Sequence, residues 1–324
     1  MKKVRRLLAG ALALTLAAAL FTGCGGGDGA AADGAHKYKI GFVLNTLEND
    51  FYITMRDAAL DYQEQAGNAE IIVQAPEKFI DVNDEVEIIE NLLAKNIDAL
   101  VFSPADGTSF LPVMQQCNEM GIPVILINNT IDQDAAAEQG VEYTSYVGTN
   151  NVQGGNIAGE FVKEQYPDGA EIAILTGSPG VQAGDERVQG FKDIFAGDPK
   201  YRIVAEQTAN WTRDEGYDVA QNIILANPGV DVFYCASDLM AFGAMEAIDQ
   251  MGKSDSIKAI GFDCSDEAKD LIRQGKLLGS VAQYPDDMAV KSLEAALAVL
   301  EGGTVDKYIA TKIDMPTKAD LEAQ

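Results

Sequence analysis

An α/β fold built from two doubly wound parallel sheets is predicted by three features of the sequence. From Tyr38 onward, short β-branched or apolar runs alternate with amphipathic stretches of helical period, the pattern of parallel sheets covered by helices on both faces. The alternation yields ten strand candidates, too many for one comfortable doubly wound domain of this length. The halves also rhyme: near Tyr38 and again near Glu171 a strand opens a run of β-α units, although no literal repeat is visible. With 324 residues, and ~150 per domain, there is chain for two bodies that each bury a core.

Taken in order, the strand candidates are YKIGFVL (38–44), EIIVQA (70–75), DALVFSP (98–104), PVILIN (123–128), SYVGT (145–149), EIAILTG (171–177), RIVAEQ (202–207), VDVFYCAS (230–237), KAIGFD (258–263) and LLGSVAQ (277–283). Between them, helices are expected over Phe51–Gln65, Val82–Lys95, Val152–Gln165, Arg213–Ala226 and Leu239–Met251, among others. Open parallel sheets bind ligands beyond the carboxyl ends of their strands, so the residues just after each strand are where function belongs.

Hydrophobic residues make up 47% and charged residues 23% of the chain, an ordinary globular balance. The formal charge of −26 repels phosphate backbones and anionic lipid surfaces, so no nucleic-acid partner is expected.

Residues 1–23 (MKKVRRLLAGALALTLAAALFTG) open with Lys2, Lys3, Arg5 and Arg6, run apolar from Leu7 to Phe21 and end on small residues before Cys24. That is the layout of an export signal, too short to span a bilayer. Phe21-Thr22-Gly23-Cys24 resembles the bacterial lipobox, with Phe21 where leucine is usual, and implies lipid on Cys24. Cleavage by the ordinary signal peptidase is the alternative. Residues 24–37, which include GGGDGAAADGAH, read as a flexible tether that suits an anchor. Cys117, Cys235 and Cys264 then remain, an odd number that cannot all pair; buried free thiols are expected, and a Cys235–Cys264 bridge stays open.

At the strand ends stand Asn45, Asn49, Phe51 and Tyr52, then Ser103 and Asp106, then Asn128 and Asn129. The second half adds Arg187, Trp211, Ser237, Asp238, Phe262, Asp263 and Gln283. Amides, carboxylate and guanidinium supply directional donors and acceptors for adjacent hydroxyls, and aromatic faces pack against the C–H surfaces of a sugar ring. Taken singly, each also fits a turn, a helix cap or packing; their coincidence at strand ends in both halves carries the argument.

Seven segments, in order, resemble the ribose- and galactose-type periplasmic binding proteins: NTLENDFY (45–52), PVILINN (123–129), GDERVQGF (184–191), ANWTRDEG (209–216), ASDLMAFGA (236–244), IGFD (260–263) and VAQYPDDMA (281–289). The resemblance covers nearly everything from Tyr38 on. It implies a two-lobed type I clamp crossed three times, near 148–150, 283–285 and 311–314. The N-terminal lobe would be 38–149 plus 284–312, and the C-terminal lobe 150–283 plus 313–324. It further implies that Asn49, Phe51, Tyr52, Ser103, Asn128 and Asn129 line the first lobe and Arg187, Trp211, Ser237 and Asp263 the second, with Gln283 at the hinge and Asn45 beside the mouth. Ribose-type proteins carry an aspartate-arginine pair where this chain has Asn128-Asn129, and asparagines at Ser103 and Ser237. Those departures imply a more neutral pocket, and Trp211 in place of phenylalanine favours a six-membered ring or a cyclic polyol.

The expected function is therefore that of a monomeric, non-catalytic receptor for a monosaccharide or cyclic polyol. It would be held outside the cytoplasm on the cell membrane by lipid on Cys24 and deliver its ligand to the permease subunits of an ABC importer, with no cofactor and no metal. A sensor docking to a chemoreceptor or membrane kinase, or a receptor for a nucleoside or other small polar solute, is the alternative. An enzyme on a similar scaffold lacks reagents, because the only histidine, His36, lies in the tether. A sugar-responsive repressor would need a basic DNA-binding head where the leader stands. GTNNVQGGNIAG does not fit dinucleotide spacing and reads as close strand–helix packing with an Asn cap.

Overall fold

The computed structural model describes residues 37–78 and 81–323. The export signal, Cys24 and the tether up to His36 lie outside the described residues. Among the described residues the chain forms eleven strands and eleven helices in near-strict alternation.

The first sheet has the order β11-β5-β4-β3-β1-β2. Its strands are β1 (Tyr38–Val43), β2 (Ala69–Gln74), β3 (Ala99–Phe102), β4 (Val124–Ile127), β5 (Ser145–Gly148) and β11 (Tyr308–Ala310). The second has the order β10-β9-β8-β6-β7, from β6 (Ala170–Thr176), β7 (Tyr201–Thr208), β8 (Val232–Cys235), β9 (Lys258–Asp263) and β10 (Gly279–Ala282). Every pairing within the sheets is parallel. The central strands β3, β4 and β8 are buried at every position, as they must be with helices on both faces.

Each sheet carries apolar clusters on its two sides: Phe42, Leu44 and Met55 against one face of the first and Phe102, Phe110 and Leu126 against the other. In the second, Phe191 stacks on Tyr234 at 4.0 Å, within 7° of parallel. At about 2 kcal/mol for each large side chain fully withdrawn from water, these clusters are the main favourable term.

The helices begin where the sequence offers a cap. Asn49, Asp81, Asn150, Thr212 and Ser265 accept backbone N–H bonds at the starts of α1 (Asp50–Ala66), α2 (Val82–Ala94), α5 (Asn151–Gln165), α7 (Arg213–Ala226) and α9 (Asp266–Arg273). Helices expected over 51–65, 82–95, 152–165, 213–226 and 239–251 are thus found within a residue at either end, the last being α8 (Asp238–Gln250). Also present are α3 (Leu111–Met120), α4 (Gln133–Gln139), α6 (Gln182–Ile194), α10 (Pro285–Leu300) and α11 (Lys318–Glu322).

All ten expected strands form, and β11 is the addition. It has three residues, Ile309 half-buried between the exposed Tyr308 and Ala310, too few for a readable alternation, and exists by pairing with β5. The chain passes between the sheets three times: after β5, between β10 and α10, and after β11, where Asp314 bridges back to Ala282. These are the three expected crossings.

The glycine-rich run proves to be a packing device, but between helices rather than between strand and helix. A Cβ on Gly155 of α5 would lie 2.1 Å from the Arg187 carbonyl oxygen of α6, and one on Gly159 would lie 2.8 Å from Ile194. Cys117, Cys235 and Cys264 are free and buried, so no bridge joins the last two, and burial pushes the Cys264 thiol up to about 12.

Candidate ligand-binding site

The carboxyl ends of the two sheets face each other across a cavity of about 60 Å3, several times the roughly 10–15 Å3 that one water needs. Asn45, Asn49, Phe51, Tyr52, Asn128 and Asn129 wall it from the first lobe, Arg187, Trp211, Ser237 and Asp263 from the second, and Gln283 from a crossing. Eleven of the twelve strand-end residues singled out from the sequence as candidate ligand contacts therefore meet around one space.

Ser103 does not line it. Fully buried, it spends its hydroxyl on Asn45 Oδ1 at 2.7 Å. Asn45 is likewise not at the mouth: at 1% exposure it is the hub of the first-lobe wall. Its Oδ1 also accepts from the Tyr52 hydroxyl at 2.7 Å and from Asn129 Nδ2 at 3.5 Å, and its Nδ2 donates to the Ser103 carbonyl at 2.7 Å. Asn128 Nδ2 donates to the Tyr52 hydroxyl at 3.2 Å, so three elements are tied into one polar sheet of side chains. Asn49 does double duty, capping α1 through Phe51 N–H while bordering the cavity.

In the second lobe, Arg187 is 5% exposed and held on several sides. Nε donates to Asn151 Oδ1 at 2.9 Å, Nη1 donates to the Ala236 carbonyl at 2.8 Å, and the guanidinium carbon lies 3.9 Å from the Phe262 ring centre. Asp263 Oδ1 is 3.7 Å from Nη1 and accepts from Gln283 Nε2 at 2.7 Å. Ser237 Oγ and Gln283 Oε1 are buried without a partner, at the margin of the same space.

Trp211 has a left-handed backbone, with φ 65°. For a bulky residue that geometry costs about 1–3 kcal/mol and persists only where its surroundings impose it. Here they do: a Cβ on Gly177 would lie 1.9 Å from the indole, and one on Gly184 would lie 3.0 Å away, so two glycines form the slot that holds the ring against the cavity. Gly177→Ala is expected to displace the indole and weaken ligand binding at least about tenfold. Trp211 is the single tryptophan, so its emission reports both the displacement and the binding isotherm; unchanged emission and affinity would refute the slot.

Burial pushes the Asp263 carboxyl up to about 6 against the pull of Arg187. Behind it, Asp238 is pushed up to about 7 by burial and by the charge of Asp263. It accepts from Ser280 Oγ at 2.6 Å and from Ser265 N–H at 2.8 Å, and only glycine fits opposite, since a Cβ on Gly261 would lie 2.2 Å from Oδ1. Between about pH 4, where an unfolded aspartate titrates, and about pH 7, the native state holds protons that the unfolded chain has released. Stability should therefore fall as pH rises through that window, and Asp238→Asn should flatten the fall. Parallel melting curves for the two proteins from about pH 5 to about pH 8 would show instead that Asp238 is already ionised in the native state.

Ala105, Val181 and Ala183 complete the lining and carried no signal in the sequence, being small apolar residues. Glu85 was also missed, although its position gave it away: it falls on the buried stripe of α2 with Ile89, Leu92 and Leu93.

Two parallel sheets, three crossings and a polar, aromatic-flanked cavity between the sheets define a two-lobed solute-binding protein. The chain belongs to the periplasmic binding protein family, whose domain matches residues 40–304. It is 32% identical over 282 residues to the ribose import binding protein RbsB of Bacillus subtilis (strain 168), covering 87% of this chain and 88% of that one. Among solved structures it is similar to an ABC transporter periplasmic solute binding protein of Actinobacillus succinogenes 130z with bound D-allose (TM-score 0.85, 30% identity, 89% of this chain and all of that one). It is also similar to an ABC transporter solute binding protein of Bacillus halodurans C-125 with bound myo-inositol (TM-score 0.81, 26% identity, 89% and 97% covered).

Proposed function

We propose that this protein is the extracytoplasmic, non-catalytic solute receptor of an ABC importer and takes a neutral, hydroxyl-rich ring, a monosaccharide or cyclic polyol, between its lobes. The supporting observation is the composition of the cavity wall. Among the described residues its only charged side chains, Arg187 and Asp263, are of opposite sign, while amides and hydroxyls make up the other polar groups and aromatic faces flank them. Because those two charges answer each other at 3.7 Å, the wall offers a net charge on the guest no surplus counter-charge, whereas hydroxyls could pair with Ser237 Oγ and Gln283 Oε1. The relatives that bind ribose, allose and myo-inositol point the same way.

The lobes would be 38–149 with 284–312 and 150–283 with 313–324. Ligand touching one lobe when open and both when closed shifts the population toward closure, and the closed surface is what the permease reads. Lipid on Cys24 and the glycine-rich tether would hold this monomer at the cell membrane near that partner.

The test is a thermal-shift screen against D-ribose, D-allose, myo-inositol, hexoses, sugar alcohols, nucleosides and amino acids. A rise with one of the sugars or polyols is expected; a rise confined to nucleosides or amino acids would overturn the substrate class. Incorporation of labelled palmitate should vanish in Cys24→Ser, and its survival there would remove the anchor from that residue.

A further inference from the structure

Beneath the first-lobe wall lies a carboxyl group with no charge to answer it. Glu85 of α2 is fully buried. Oε2 takes a long 3.4 Å bond from Asn45 Nδ2, and Oε1 has no partner among the described residues. Among the described residues no lysine or arginine nitrogen comes within 4 Å of it. The groups that face it are Asn45 at the end of β1, the Tyr52 hydroxyl on α1 and Asp106 in the loop after β3. None is a cation, and Asp106 repels a second negative charge. A carboxylate buried in this way is among the most unfavourable arrangements in a protein, whereas a neutral carboxylic acid presents an acceptor oxygen and an O–H donor where a glutamine side chain presents its oxygen and its NH2.

We infer that Glu85 is held as a neutral acid and serves as the positioning residue of the binding site, orienting the Asn45 amide that in turn aligns Tyr52, Ser103 and Asn129. The inference rests on the solute-receptor reading of the cavity, since what Glu85 would tune is the wall that meets the ligand. Burial sets its carboxyl well above the usual carboxylate range. Ionisation leaves a buried charge answered only by the long bond from Asn45 Nδ2, and the first-lobe wall loses its alignment as water or a shift of α2 answers that charge.

Two measurements test this. The first needs no ligand: in protein labelled with 13C at glutamate side-chain carboxyls, the resonance missing from Glu85→Gln should titrate well above those of the exposed glutamates, and the Asn45 side-chain amide should shift with it. Titration together with the exposed glutamates would overturn the inference whether or not a sugar binds. The second uses D-ribose, D-allose and myo-inositol as probes, with Kd followed from about pH 6 to about pH 9. As pH rises the natural protein should weaken at least about tenfold relative to Glu85→Gln, any change the two share belonging to Asp263 and Asp238, and Glu85→Ala should be weak at every pH. A glutamine variant as weak as the alanine one, or one sharing the natural protein's pH profile, would also overturn it. If none of the probes binds at about pH 6, the ligand assignment fails, and the carboxyl titration still decides the state of Glu85.

Discussion

Asp263→Ala is expected to weaken ligand binding by at least about 2 kcal/mol, roughly thirtyfold in Kd, measured by calorimetry or by Trp211 emission. Among the described residues the carboxylate is the only acid within 4 Å of the buried Arg187 guanidinium, 3.7 Å from Nη1, and it also anchors Gln283 at 2.7 Å. Removing it leaves Arg187 at 5% exposure with Asn151 and the Ala236 carbonyl but no counter-charge, and frees the amide that marks the crossing after β10. Closing the cleft over an uncompensated cation then becomes unfavourable. Affinity within threefold of the natural protein would take Asp263 out of the binding site.

Gly155→Ala should cost the fold more than any other single methyl group considered above. The new Cβ would lie 2.1 Å from the Arg187 carbonyl oxygen and 2.6 Å from Phe191 N, and both are backbone atoms that cannot swing away. Helices α5 and α6 would have to separate, at about 3 kcal/mol, lowering the melting temperature by on the order of 5–10 °C. Because α6 carries Arg187, affinity should drop along with stability. Gly229→Ala makes the comparison: its Cβ would meet only the carboxylate tip of Glu171 at 3.0 Å, which can move, so little change is expected there. A Gly155→Ala protein that melts like the natural one would mean the helices are not in the contact described.

The ten long strands and the capped helices were legible because each advertises itself locally, by a β-branched run or by an Asn, Asp, Ser or Thr before a helical period. β11 was not, since Tyr308–Ala310 is a strand only by virtue of β5 beside it. Most of the candidate site was legible because polar and aromatic residues crowd the strand ends. The division of labour among them was not: Ser103 and Asn45 look like any other strand-end residues, and only their mutual hydrogen bond turns one into a support and the other into a hub. Similarly, GTNNVQGGNIAG announces close packing but not its partner, which is a second helix.

Composition and pattern alone determined the layered architecture, the acidic charge and the set of residues from which a site could be drawn, because these follow from periodicity, chain length and residue chemistry. Tertiary structure decided which of those residues share a cavity, which are spent on each other, and which buried acids are forced away from their ordinary protonation. The reason is that desolvation and hydrogen-bond partnership arise between segments as distant as Asn45 and Ser103, or Asp238 and Ser280, and have no counterpart in the order of residues along the chain.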